Sequence, residues 1–155
     1  MDENFYTSTE ASQITGCSRR QLQYWREKNV VVPTVNPSGK GRNVYYSDSD
    51  LLALTVMEYF LSIGLSFEVC KQLLEMLKAR ESWLFNESLS KDQIKHFMVL
   101  LDADKHHLQL VDFDSKLAVK TINNGFPVVP FWSERIHQRL HDNLRSFATA
   151  GDRIV

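Results

Sequence analysis

Arg19, Arg20, Gln23, Tyr24 and Arg26 fall within one short stretch, S-R-R-Q-L-Q-Y-W-R, and side chains of these types recognise nucleic acid. Arginine and glutamine form paired hydrogen bonds with guanine and adenine edges in the major groove, and tyrosine commonly reaches a phosphate. On a helical wheel Leu22 and Trp25 share one side with Ser18 nearby, Arg20, Gln23, Tyr24 and Glu27 take the opposite arc, and Arg19 and Arg26 lie on one flank. One side is built to pack and the other to read bases. For an arbitrary helix the plainer alternative is a solvated face, so the flanking chain has to decide.

Other chemistry finds less support. There is no Gly-rich phosphate loop, nucleophile motif or carboxylate pair in a recognisable frame, so no catalytic residue and no enzymatic activity are expected. His137 and His141 have the four-residue spacing through which two imidazoles can share a metal, yet no third ligand accompanies them. They are expected to face solvent, as are His106 and His107. Cys17 and Cys70 lack metal-ligand spacing and read as reduced thiols, Cys70 as a small core side chain. No metal and no cofactor are expected.

The basic stretch needs elements to hold it. Thr7 with Glu10 has capping-box spacing and starts a helix of about Ser8 to Thr15; Gly16 suits the left-handed residue that ends it. Ser18 with Gln21 repeats the signature for a second helix of about Arg19 to Asn29. Helix, tight turn, helix is the result. The β-branched run Val30 to Val35 and the segment Val44 to Tyr46, joined by an Asn/Pro/Gly loop, predict a hairpin whose tip carries Lys40 and Arg42. Such a basic wing grips the sugar-phosphate backbone beside the groove. Lys40, Arg42, Asn43 and Tyr45 thus join Arg19, Arg20, Gln23, Tyr24 and Arg26 as the expected DNA-binding residues.

Charge distribution agrees with this. The 155 residues carry a net charge of −1, with 43% hydrophobic and 24% charged residues, as in soluble globular proteins. Between Cys17 and Tyr46, however, Arg19, Arg20, Arg26, Lys28, Lys40 and Arg42 stand against Glu27 alone. A local basic surface on a neutral protein implies salt-dependent binding to DNA, because lysine and arginine displace condensed counterions. The opening Met-Asp-Glu-Asn lacks a signal-peptide pattern, and the apolar run Leu51 to Ile63 is too short to span a bilayer, so a cytoplasmic, nucleoid-associated protein is expected.

Further along, Ser47 with Asp50 starts a helix that closes at Gly64, apolar nearly all round, and Ser66 caps an amphipathic helix of about Phe67 to Arg80. Tyr6-Thr7 with Glu10-Ala11, Thr15 to Ser18, Arg20 to Trp25, Tyr46 to Leu51 and Ile63 to Ser66 form an ordered series that resembles the MerR family of bacterial transcription regulators over about residues 5 to 80. Departures are Gln23 where the family usually has arginine, Trp25 in place of a second tyrosine, and Val44 where the wing commonly has arginine, with Arg42 one strand position away. The resemblance implies a winged helix-turn-helix of about four helices, a homodimer, and a pseudo-palindromic promoter site that is bent or twisted. Family activators use that distortion to realign the promoter for RNA polymerase, and without the usual long coiled coil repression by occlusion is an equal alternative. The resemblance also places Arg20 and Tyr24 at positions the family uses on DNA.

The second half departs from the long coiled-coil helix of typical members. The expected fold is mainly α: a winged helix-turn-helix domain at 1–80, a linker at 81–89, and a small α+β or helical module at 90–155 for dimerisation or regulation. Within that module Ser90 and Gln93 are expected to cap a helix bearing Ile94, Phe97, Met98 and Leu101. His107 to Phe113 and Lys116 to Ile122 are expected to pair as strands. Phe126 to Phe131 carries two prolines and cannot be a central strand. Ser133 starts a last helix whose seam of Trp132, Ile136, Leu140, Leu144 and Phe147 packs as core or pairs with its copy. An alternative function keeps the DNA-binding domain as an architectural or accessory module and docks a protein partner through the second half, at Phe126 to Trp132.

Overall fold

The computed structural model describes residues 4–37, 43–86, 94–101 and 108–152. The chain is mainly α, with a helical N-terminal region followed by an α+β part. Strand β1 (Phe5–Tyr6) leads into α1 (Ser8–Thr15), α2 (Arg19–Glu27), β2 (Tyr46–Ser47), α3 (Asp48–Ser62) and α4 (Phe67–Arg80). A 3₁₀ helix (Ser82–Phe85), β3 (His96–Leu101), β4 (Leu108–Asp112), α5 (Ser115–Asn123), β5 (Val128–Trp132) and α6 (Ser133–Asp152) follow.

Capping fixes the helix starts. Thr7 with Glu10, Ser18 with Gln21 and Ser47 with Asp50 each close a full capping box, which satisfies amides that the first helical turn leaves without partners. Gly16 ends α1 at φ 83°, and Asn29 takes φ 58° just past α2. Helix α2 therefore stops at Glu27, two residues earlier than the apolar pattern alone predicts. Helix α3 is the axis of the core: Leu51, Leu52, Leu54, Val56, Met57 and Phe60 are all buried, covered by α1, α4, the 3₁₀ helix and α6.

Two expectations for the second half are reversed. Residues 96–101 form a strand, not a helix; Ser90 and Gln93, the expected cap, lie outside the described residues. Phe97, Met98 and Val99 are all buried, and a strand covered on both faces shows a continuous apolar run that spacing cannot separate from a helix. Conversely, Lys116 to Ile122 is helical. The Asp114 carboxylate accepts from the amides of Lys116 (3.0 Å) and Leu117 (3.3 Å), a cap that draws the segment into α5. The expected strand at 107–113 is present as β4, but it pairs with β3, so that the antiparallel sheet runs β4-β3-β5.

Strand β5 is an outer strand, where Pro130 removes no ladder bond from a second neighbour. Phe131 turns inward, edge-on to Phe60 at 4.9 Å and stacked on Phe97 at 5.2 Å, and so joins α3 to the sheet. Ser82–Phe85, expected to open a linker, buries Leu84 and Phe85 in the same core. The α6 seam packs inward: Ile136 and Leu140 are buried, and Leu144 and Phe147 lie against the cluster shared with α1 and α3. No helix among the described residues is long and apolar enough to cross a membrane.

Candidate nucleic-acid interface

Helix α2 is presented by burial of its other side. Leu22 and Trp25 are each 2% exposed, and their packing leaves Arg19, Arg20, Gln23, Tyr24 and Glu27 outward and Arg26 half-buried. The turn before it is pinned by local bonds. Ser12 Oγ donates to the Cys17 carbonyl at 2.6 Å, and the Cys17 amide donates to Thr15 Oγ1 at 3.2 Å. Cys17 itself is buried, its thiol pushed up to about 11 by desolvation and its Sγ 3.7 Å from the Leu54 carbonyl of α3. The thiol serves as packing between turn and core, and it carries no reactive thiolate at neutral pH.

The outward side chains line a groove of about 460 Å³ in which Arg19, Arg20, Gln23 and Arg26 face Ser8, Val44 and Tyr46. A smaller groove adjoins it, where Arg19 and Arg26 meet Thr7, Ser8 and Thr9 at the start of α1, with Asn43 opposite. Among the described residues, no ion pair engages these arginines. Two unpaired guanidiniums beside a helix N-terminus favour an anion such as a backbone phosphate. Burial raises the Tyr46 phenol, and the charge of Arg26 opposes that shift.

Tyr24 is held in place from two sides. Its ring meets Phe67 of α4 at 5.5 Å, and Lys28 Nζ lies 5.8 Å from the ring centroid. Phe67 and the α1 residues Thr7, Ser8 and Thr9 were not anticipated as parts of this surface, whereas Lys28 was counted in its basic charge. Only the α1 start had a local signal, its capping box; Phe67 arrives through the packing of α4.

Among the described residues the expected hairpin shows one antiparallel bridge, between Val35 and Tyr45, with N···O distances of 3.1 and 3.0 Å; Val30 to Val32 is not a strand. Instead Tyr46–Ser47 pairs with Phe5–Tyr6. The base of the wing is tied to α3 by Asp50, whose carboxylate accepts from the Thr34 amide and hydroxyl at 2.7 Å each and from the Ser47 amide at 2.9 Å. Asn43 is exposed and Tyr45 half-buried beside this base, while Lys40 and Arg42 lie outside the described residues.

Among the described residues, no three histidine, cysteine or acidic side chains converge. His141 is exposed, but His137, expected to face solvent, is half-buried with Nε2 2.6 Å from the Leu84 carbonyl. It donates to the 3₁₀ helix that the sequence suggested was a linker. His106 and His107 lie outside the described residues.

Residues 6–77 match the model of the MerR HTH regulatory protein family. Over 76 residues the chain is 33% identical to uncharacterized HTH-type transcriptional regulators of Mycobacterium bovis and Mycobacterium tuberculosis, covering 48% of this chain. The chain spans about a third of the length of these curated relatives, 34%.

Proposed function

Because residues 6–77 are a helix-turn-helix domain of the MerR regulatory family, we propose that the chain is a sequence-specific transcription regulator that binds a two-fold symmetric promoter site as a homodimer. The observation that carries this reading is the position of Arg20, Gln23 and Tyr24 on the outer side of a helix whose inner side, Leu22 and Trp25, is locked in the core. A helix held in this way enters the major groove as a rigid unit.

In this reading α2 of each protomer reads one half-site. Arg20 and Gln23 contact base edges, Tyr24 reaches a phosphate, and Arg19 and Arg26 with the start of α1 hold the backbone. Asn43, Tyr45, Lys40 and Arg42 supply the wing. Residues 1–80 bind DNA, 81–89 connect, and 90–155 dimerise the protein or receive its signal. The DNA is bent or twisted between the two halves, which positions the promoter for RNA polymerase. The action is non-enzymatic, and the protein works in the cytoplasm on the nucleoid.

A second reading, an architectural DNA-binding module whose C-terminal half docks another protein, is supported by α5, where Val119 and Ile122 are each 57% exposed. The segment first suspected of docking, Phe126 to Trp132, supports it less, because Phe131 is 3% exposed and faces the core. Selection of sites from random duplex DNA, followed by footprinting, separates the two. A regulator yields a symmetric motif bound several kcal/mol more tightly than random sequence, whereas an architectural protein yields a small ratio (roughly 4–10 kcal/mol is typical of specific binders).

A further inference from the structure

We propose that Glu27, together with Gln23, is a specificity determinant that selects a base carrying an exocyclic amino group, cytosine first, at one position of each half-site. The inference rests on the DNA-binding reading of α2. Gln23 Nε2 donates to Glu27 Oε1 at 3.2 Å, and both side chains are exposed on the arc that carries Arg20 and Tyr24. That bond leaves Gln23 Oε1, the second Nε2 hydrogen of Gln23 and the second, acceptor-only carboxylate oxygen of Glu27 available on two exposed side chains.

Glu27 is not used elsewhere. None of the ion pairs among the described residues includes it, although Arg26 and Lys28 are its chain neighbours. Its place does not suit the helix dipole: it is the last residue of α2, where the dipole presents its negative end and disfavours a carboxylate, which offsets the small gain from the bond to Gln23. It is also the single acid between Cys17 and Tyr46, so it subtracts from the attraction to DNA.

A carboxylate can only accept hydrogen bonds at neutral pH. In the major groove cytosine N4 and adenine N6 donate, whereas guanine O6 and N7 and thymine O4 accept. Acceptors facing acceptors repel, so Glu27 rejects guanine and thymine and admits the amino bases. Cytosine is favoured because its N4 donor is the partner that a glutamate carboxylate ordinarily takes. Gln23 keeps the carboxylate turned toward the groove and away from the phosphates.

The test uses the full chain and its Glu27→Gln variant. Sites are selected from random duplex DNA with each protein, and probes differing only at the position in question are then titrated. The wild type should prefer cytosine over guanine or thymine by about 5- to 150-fold. Glu27→Gln, whose amide both donates and accepts, should lose that preference, keep the rest of the motif, and bind random DNA more tightly. An identical motif from both proteins overturns the assignment and leaves the regulator reading standing. No motif from the wild type overturns both.

Discussion

Arg139 of α6 reaches across to Glu58 of α3, with Nη1 within hydrogen-bond distance of Oε2, and its guanidinium lies 5.1 Å from the centroid of the neighbouring Tyr59 ring. The pair joins the last helix to the central helix of the N-terminal half, 81 residues away in sequence. Both side chains are about one-third exposed, so solvent screens the attraction, and the ring contact adds a comparable amount. Arg139→Gln should therefore lower stability by about 1 kcal/mol. A double-mutant cycle with Glu58→Gln by denaturant melting measures the coupling, and a value of zero would show the contact to be incidental.

Phe131 extends this connection into the sheet through Phe60 and Phe97. Phe131→Ala removes a ring buried in the shared core and should cost about 3–5 kcal/mol. Because one apolar cluster includes α1, α3, β3, β5 and α6, the wild type should melt in one cooperative transition by both far-ultraviolet circular dichroism and tryptophan fluorescence. Two separated transitions would mean that the halves fold independently.

Arg20→Ala and Lys40→Ala should differ in kind. The first should cost about 1–3 kcal/mol at one base position. The second should weaken every sequence alike and reduce the salt slope by about one. Titrations of matched and mutated operator probes at two salt concentrations report both quantities.

His137 gives stability a pH dependence. Burial lowers its pKa below the ordinary 6.5, against the opposing bond to the Leu84 carbonyl. The unfolded chain therefore takes up the proton first as pH falls through 6.5, and folding stability declines with acidification in that window. Above it, both states are neutral and the contribution is flat. In His137→Gln the melting temperature should depend less on pH below 6.5 than in the wild type.

Cys17 and Cys70 are both buried, with thiols raised to about 11 by desolvation. Neither should be alkylated by iodoacetamide at pH 8 in the native protein at a rate comparable to that in denaturant. Rapid native labelling would contradict their burial.

Sequence alone determined the elements whose causes are local. The capping boxes at Thr7, Ser18 and Ser47 bind residues three apart, so the starts of α1, α2 and α3 were legible, as were the Gly16 turn and the outward arc of α2. The C-terminal half was less legible, because its signals are ambiguous at short range. The run Phe97-Met98-Val99 suits a buried strand as well as a helix, and its burial between the two neighbouring strands of the sheet decided for the strand. Lys116 to Ile122 could alternate as a strand, but the Asp114 cap drew it into a helix.

Tertiary structure alone decided which distant groups meet. The Arg139–Glu58 pair, the His137 bond to Leu84, the ring of Phe67 beside Tyr24 and the inward packing of the α6 seam each join residues far apart in the chain. Periodicity states which face of a helix is apolar; it does not say what covers that face. Here the cover for α6 is α1 and α3, so the side that could have paired with a second copy is used within the same chain.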